Sequence, residues 1–213
     1  VIVGFNGEEL AALVVKKEKS SQWQLASGTL NPGENAEEAA DRIVFEFTGL
    51  RGVHKDQVYT FSHVDPARFD LHISISFLAL VNFGDCQTGW VGPAGTTWVP
   101  ISRLPDLPQN ELEMINKSKL MLRDKINVHP TICYLLESRF TITQLKKLYE
   151  SIFETQFDKR NFYKRIMTLG TLKRLNEKEK TSSRKGAFYY AVIKKNTNYR
   201  DDLSSVKLFN VCL

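Results

Sequence analysis

The spacing of apolar residues switches between two and about 3.6 several times along the chain, and each switch marks an element. Residues 1–5 (VIVGF) and 9–15 (ELAALVV) are apolar runs on either side of Asn6-Gly7, which favours a tight turn, so they predict a strand pair. From 36 to 47 the period is helical, through Ala39, Ala40, Ile43, Val44 and Phe47, with Gly49 just beyond as a C-terminal cap. Residues 57–61 (QVYTF) and 72–83 (HISISFLALVNF) are rich in β-branched and aromatic residues and predict strands. A further strand in 96–108 (TTWVPISRLPDLP) runs into a proline-marked turn. Leu112, Ile115, Leu120 and Met121 then make 110–125 an amphipathic helix. Strands and helices in this order predict an α/β (α+β) sandwich with a mixed sheet over residues 1–128.

After Pro130, which disfavours helix at His129, the pattern changes. A short helical segment is expected at 131–140 (TICYLLESRF). A second helix is expected at 144–153 (QLKKLYESIF) with Thr143 as N-cap, and a third at 159–169 (KRNFYKRIMTL) with Asp158 in that role. The strand 172–175 (LKRL), the polar basic loop 176–186 (NEKEKTSSRKG) and the strand 187–193 (AFYYAVI) follow. Three helices and then a hairpin with a charged tip is the order of a winged helix-turn-helix, so 129–213 is read as a second domain.

Charge reinforces that division. Residues 1–128 hold 12 Lys and Arg against 16 Asp and Glu, net −4, whereas 129–213 hold 17 against 8, net +9. A basic second half on an acidic first half predicts a polyanionic partner for the second half alone. The longest apolar stretch, 73–83, is too short to span a bilayer, so no membrane partner is expected. Cys86, Cys133 and Cys212 are scattered and form no CxxC, which suits reduced thiols in a cytoplasmic protein. His54, His63, His72 and His129 include no pair at i,i+3 or i,i+4, and no metal site or cofactor is expected.

Residues 28–50 (GTLNPGENAEEAADRIVFEFTGL) carry the first half's chemistry. They resemble the Nudix box, G-x5-E-x7-R-E-U-x-E-E-x-G-U with U a bulky aliphatic, through Gly28, Glu34, Arg42, Val44, Glu46, Gly49 and Leu50. The box gathers several Glu side chains on one helix face around Mg²⁺, which bridges a diphosphate and activates water. Here Ile43 and Phe47 stand where two of those carboxylates belong. They are i,i+4 neighbours, so the lost charges have become an apolar ridge. The frame is read as kept for folding and hydrolysis as lost, with no catalytic residue assigned.

A degenerate Nudix domain followed by a winged helix with FTITQLKKLYE and DKRNFYKR is similar to the Nudix-related transcriptional regulators. The resemblance covers nearly the whole chain. It implies a dimeric bacterial regulator that binds an operator in double-stranded DNA and responds to a small molecule: ADP-ribose in some members, a sugar such as arabinose in a Bacteroidetes branch. The ADP-ribose branch carries an RDPRGR-like stretch ahead of an S-I-A-Y strand. In this chain the region reads SHVDPARFDLHISISF; Arg68 is its only arginine, and Leu71 replaces the arginine nearest the strand. A diphosphate usually wants Arg, Lys or metal charge, so a sugar effector in a catabolic operon is expected. Asp65, Arg68 and His72, with Glu46 and Asn110, are the candidate effector contacts.

On a helical wheel with Phe162 at zero, Ile166 and Leu169 fall on the same side, while Arg160 and Lys164 lie opposite, flanked by Asn161. Such a helix packs through one face and offers Arg, Lys and Asn to a major groove through the other. Lys159 and Arg165 sit on the shoulders, where phosphate contacts are expected, and Arg184 and Lys185 at the wing tip join them. A Nudix hydrolase of nucleoside diphosphate derivatives with an accessory nucleic-acid domain is the alternative. RNA binding is a third reading, disfavoured by the lack of an aromatic stacking surface.

Overall fold

The computed structural model describes residues 1–16, 22–65, 70–85, 92–128, 134–179 and 186–193. The chain divides into two compact units, Val1–Gly4 with Ala11–Met121, and Phe5–Leu10 with Leu122–Leu213.

The first unit is built on a six-stranded sheet. Its strands are β1 (Ile2–Phe5), β2 (Leu10–Lys16), β3 (Trp23–Leu25), β4 (His54–Asp65), β5 (Asp70–Asn82) and β6 (Thr96–Pro100), in the order β3-β2-β1-β5-β4 with β6 also paired to β2. Strands β1 and β2 are buried on both sides, which is why their sequences are continuously apolar rather than alternating. Helix α1 (Ala36–Thr48) covers one face, where Val44 packs with Ile2, Leu13, Ala79 and Val81. Helix α2 (Gln109–Val128) lies on the other, where Ile115 packs with Val14, Leu25 and Leu107. Odd and even residues of one strand thus feed two cores, the arrangement of an α/β/α sandwich.

The β4–β5 pair is a long antiparallel hairpin, His54 pairing with Leu80 and, at its far end, Asp65 with Asp70. Strand β4 outruns the expected run 57–61 at both ends, and β5 begins two residues before 72 and ends one before 83, because antiparallel pairing continues beyond the buried part of the hairpin. Leu71 and Ile73 stand there 60% and 61% exposed.

The second unit contains β7 (Phe140–Thr141), α3 (Ile142–Phe153), α4 (Lys159–Thr168), β8 (Leu172–Glu179) and β9 (Ala187–Val192), with the sheet order β7-β9-β8. Its core joins Leu135, Phe140, Leu145, Leu148, Ile152, Phe162, Ile166 and Tyr190. The helix expected at 131–140 does not form within the described residues of that stretch, which turn at 134–136 and enter β7 at Phe140. Leu135 and Leu136 are buried there by tertiary packing, not by a helical face. The N-cap of α3 is Thr141 rather than Thr143. Its hydroxyl accepts from the Gln144 N–H at 3.2 Å, and Gln144 Oε1 accepts from the Thr141 N–H at 2.8 Å, a reciprocal capping box. Strand β8 runs on to Glu179, four residues past the apolar LKRL, because cross-strand pairing with β9 continues through charged residues.

Candidate functional site

The Nudix-like frame is fully formed. Asn35 caps α1 by accepting from the Glu37 and Glu38 N–H groups, and Glu38 returns a bond to the Asn35 N–H at 2.8 Å. Gly49 closes the helix at φ 72°, a left-handed conformation that suits glycine. Arg42 ties the preceding loop to the helix. Its Nε and Nη2 each donate to the Glu34 carboxylate at 2.8 Å, Nη2 reaches the Thr29 carbonyl at 2.8 Å, and Nη1 reaches Glu46 at 3.3 Å. These Arg42 hydrogen bonds, and then the Asn31 N–H, hold the Glu34 carboxyl at about 2.

The positions that lost their carboxylates do structural work instead. Ile43 lies against the loop, where a side chain at Gly28 would meet its Cγ1 and Cδ1 at 3.1 Å. Phe47 packs against the Ile2–Leu13–Val44–Ala79–Val81 cluster. Glu46 is exposed and shares Arg42 with Glu34. The Mg²⁺ of an intact Nudix box needs several hard oxygen ligands, and these residues do not fit it. Among the described residues no group of three or more His, Cys, Asp and Glu is arranged to hold a metal ion.

Of the candidate effector contacts within the described residues, His72 and Glu46 lie on different faces of the sheet. His72 is exposed on β5 and pairs with His63 across the hairpin. By alternation it shares a face with Ser76, the partner of Tyr59, whose ring takes Lys117 of α2 at 4.1 Å. Glu46 lies on α1, which packs on the opposite face through Ala79 and Val81. The sheet thus separates His72 from Glu46. Asn110 is exposed in the first turn of α2, Asp65 ends β4, and Arg68 lies outside the described residues.

The second unit presents α4 as expected from the helical wheel. Asp158 accepts from the Asn161 N–H at 2.9 Å and starts the helix. Phe162 and Ile166 are buried and Leu169 half-buried, while Lys159, Arg160, Asn161, Lys164 and Arg165 are all exposed. Phe162 is held by Tyr149 and Phe157, with ring centroids 5.3 and 5.8 Å away.

The turn between α3 and α4 is pinned by charged groups. Glu154 ends α3 at φ 53°, the one positive-φ residue other than glycine among those described. Arg123 Nε donates to the Ile152 carbonyl at 2.8 Å, and its Nη2 pairs with Glu154 at 2.9 Å. Glu150, paired with Lys146, accepts from the Phe157 N–H at 2.8 Å. Arg184 and Lys185 lie outside the described residues.

Three wing residues escaped the sequence reading. Arg174 and Lys178 of β8 each place their charge 4.6 Å from the Phe188 ring centroid on β9. Only the strand register, Arg174 opposite Tyr190 and Lys178 opposite Phe188, brings them together, and a shift between positions 174 and 178 sets that register. Tyr190 is buried in the core; burial first, and the neighbouring Tyr163 hydroxyl of α4 second, push its phenol pKa up.

An α/β/α Nudix frame and a basic winged helix thus sit in one chain. The chain belongs to the NUDIX domain family: the family model matches residues 1–117, and the model of the NrtR DNA-binding winged helix domain matches residues 132–192. Among its relatives, the ADPR responsive transcriptional repressor NtrR of Acinetobacter baylyi is 22% identical over 175 residues, covering 80% of this chain and 70% of that protein. The fold matches Shewanella oneidensis NrtR in complex with a 27mer DNA at a TM-score of 0.76 and 20% identity, over 91% of each chain. A MutT/nudix family protein of Enterococcus faecalis matches at 0.68 and 19% identity, over 91% of this chain and 85% of that one.

Proposed function

We propose that this protein is a ligand-responsive transcriptional regulator, in which a non-catalytic Nudix domain (1–128) senses a small molecule and a winged helix (129–213) binds operator DNA. The observation that carries the reading is α4. It buries Phe162 and Ile166 while exposing Arg160, Asn161 and Lys164, inside a segment that matches a DNA-binding winged-helix model. Arg160, Asn161 and Lys164 read base edges; Lys159, Arg165, Arg184 and Lys185 contact phosphates.

The Nudix domain is not an enzyme on this reading. Phe47 against the core and Ile43 against the loop support it, since neither side chain supplies an oxygen to Mg²⁺. The Acinetobacter relative is named for ADP-ribose, which makes ADP-ribose the first effector to test here. A sugar is the second reading. It rests on the departure at Leu71, which stands 60% exposed beside the candidate contact His72 and offers a diphosphate no charge. The exposed apolar row Leu71, Ile73 and Ile75 supports a homodimer, because monomers rarely leave such a row uncovered. No described helix is long and apolar enough to cross a membrane; a regulator that binds operator DNA belongs in the cytoplasm.

Fluorescence anisotropy on the DNA upstream of its own gene, with and without ADP-ribose or arabinose, tests the assignment. The expected result is specific binding that one of the two molecules changes. Specific binding indifferent to both would remove the proposed effectors, and absence of specific binding would remove the regulator.

A further inference from the structure

The described face of the wing offers paired cations, and nothing so far gives them a role. Phe188 and Tyr190 are two apart on β9 and share a face; their cross-strand partners Lys178 and Arg174 share it too. Tyr190 is buried in the core that Phe162 and Ile166 of α4 also enter, so this is the side of the sheet turned toward the recognition helix. Lys173 pairs with Ala191 and belongs to the other side, as does Tyr189, over which Arg139 stacks at 5.2 Å while pairing with Glu177.

The two sides differ in how their charges are balanced. On the far side Arg139 has a carboxylate. On the α4 side Arg174 and Lys178 are both exposed, both 4.6 Å from one ring, and neither pairs with a carboxylate among the described residues. Two like charges gathered about one aromatic ring repel each other, and an anion close to both relieves that repulsion. The ring also restrains two flexible side chains before a ligand arrives, which lowers the entropy lost on binding.

We propose that Arg174, Phe188 and Lys178 form a seat for the sugar–phosphate backbone of duplex DNA, with the ring orienting the two cations and the cations neutralising phosphates. The seat rests on the reading of the second unit as a DNA binder and moves the wing's backbone contact from the tip into the strands. It is blind to sequence, as phosphate contacts are.

Because the contact is sequence-independent, a mixed-sequence duplex of about 30 bp serves as the probe, titrated by anisotropy across roughly 50–200 mM NaCl. Arg174→Ala and Lys178→Ala should each lower the slope of log affinity against log salt by about 0.9 per bound protomer. Arg174→Lys should keep the parent slope. Phe188→Leu keeps the apolar volume but not the ring, and should weaken binding about two- to fivefold at an unchanged slope. Lys173→Ala, on the far side, should leave both quantities alone, and matching thermal melts exclude misfolding. Parent-like slopes in both alanine variants, or an equal drop in Lys173→Ala, would overturn the seat while DNA binding stood. A parent chain that fails to bind the duplex at any salt would overturn the DNA-binding reading and the seat with it.

Discussion

Phe47 is the sharpest test of a frame kept without its chemistry, because the family's pattern places a carboxylate there and this chain packs a half-buried ring against the core. Phe47→Glu restores the motif residue. Emptying a fully buried Phe site costs about 3–5 kcal/mol, and Phe47 is half-buried against Ile2, Leu13, Val44, Ala79 and Val81, so roughly half, about 2 kcal/mol, is lost with the ring. A carboxylate facing that cluster adds a desolvation cost, relieved in part by rotating to solvent, and raises the loss to about 2–4 kcal/mol. For a unit of this size each kcal/mol moves the midpoint by about 3–5 °C, so a fall near 10 °C is expected. Urea denaturation followed by tryptophan fluorescence checks it, with an unchanged m-value showing that compactness is kept. An intact family enzyme tolerates Glu here because the residue faces metal. A Phe47→Glu variant as stable as the parent would refute the packing argument and reopen the hydrolytic reading.

Arg123→Ala should destabilise the second unit by about 1.5–3 kcal/mol, because the Ile152 carbonyl at the end of α3 loses a charged donor at 2.8 Å. The exposed Glu154 partner adds little, and a chemical denaturation series with Arg123→Lys as partial rescue measures the loss. Glu34 is held at about 2 by Arg42, against an ordinary value of 4.5. A depressed carboxyl stabilises the fold above pH 4.5 and loses that contribution as pH falls toward 2. Glu34→Gln should therefore flatten the melting temperature across pH 4.5–2 while lowering it at neutral pH. Ile73→Lys, at a side chain 61% exposed, should leave the melt of the first unit nearly unchanged but shift the protein to monomer in sedimentation; an unchanged dimer would place the interface elsewhere.

How far the structure could be read from sequence depends on where the deciding contacts lie. Helices α1 and α4 were legible because their caps and apolar faces are local: Asp158 stands immediately before the basic helix, and Phe162 and Ile166 are one turn apart. The capping box Thr141-x-x-Gln144 was equally local, yet Thr143 next to the helical run concealed it. Strand β3 spans three residues, too few for any periodicity to register. Leu135 and Leu136 look helical by composition, but their burial comes from the packed second unit. Asp65, Arg68 and His72 are close in sequence, whereas Glu46 and Asn110 lie far from them along the chain. Strand alternation then separates His72 from Glu46, which a linear reading does not weigh. The Arg174–Phe188–Lys178 group depends on a register shift between two strands and leaves no mark in either strand alone.

The central claim, that α4 reads DNA, is tested most directly by comparing the parent with Arg160→Ala and Lys164→Ala on operator and scrambled duplexes. Both side chains are exposed opposite the Phe162–Ile166 face, so neither truncation opens a cavity and the melts should coincide with the parent's. Each lost base contact costs about 1–3 kcal/mol, enough to weaken operator binding roughly tenfold while binding to the scrambled duplex changes much less. Two variants that bound the operator with the parent's affinity and the parent's preference over scrambled DNA would contradict the account.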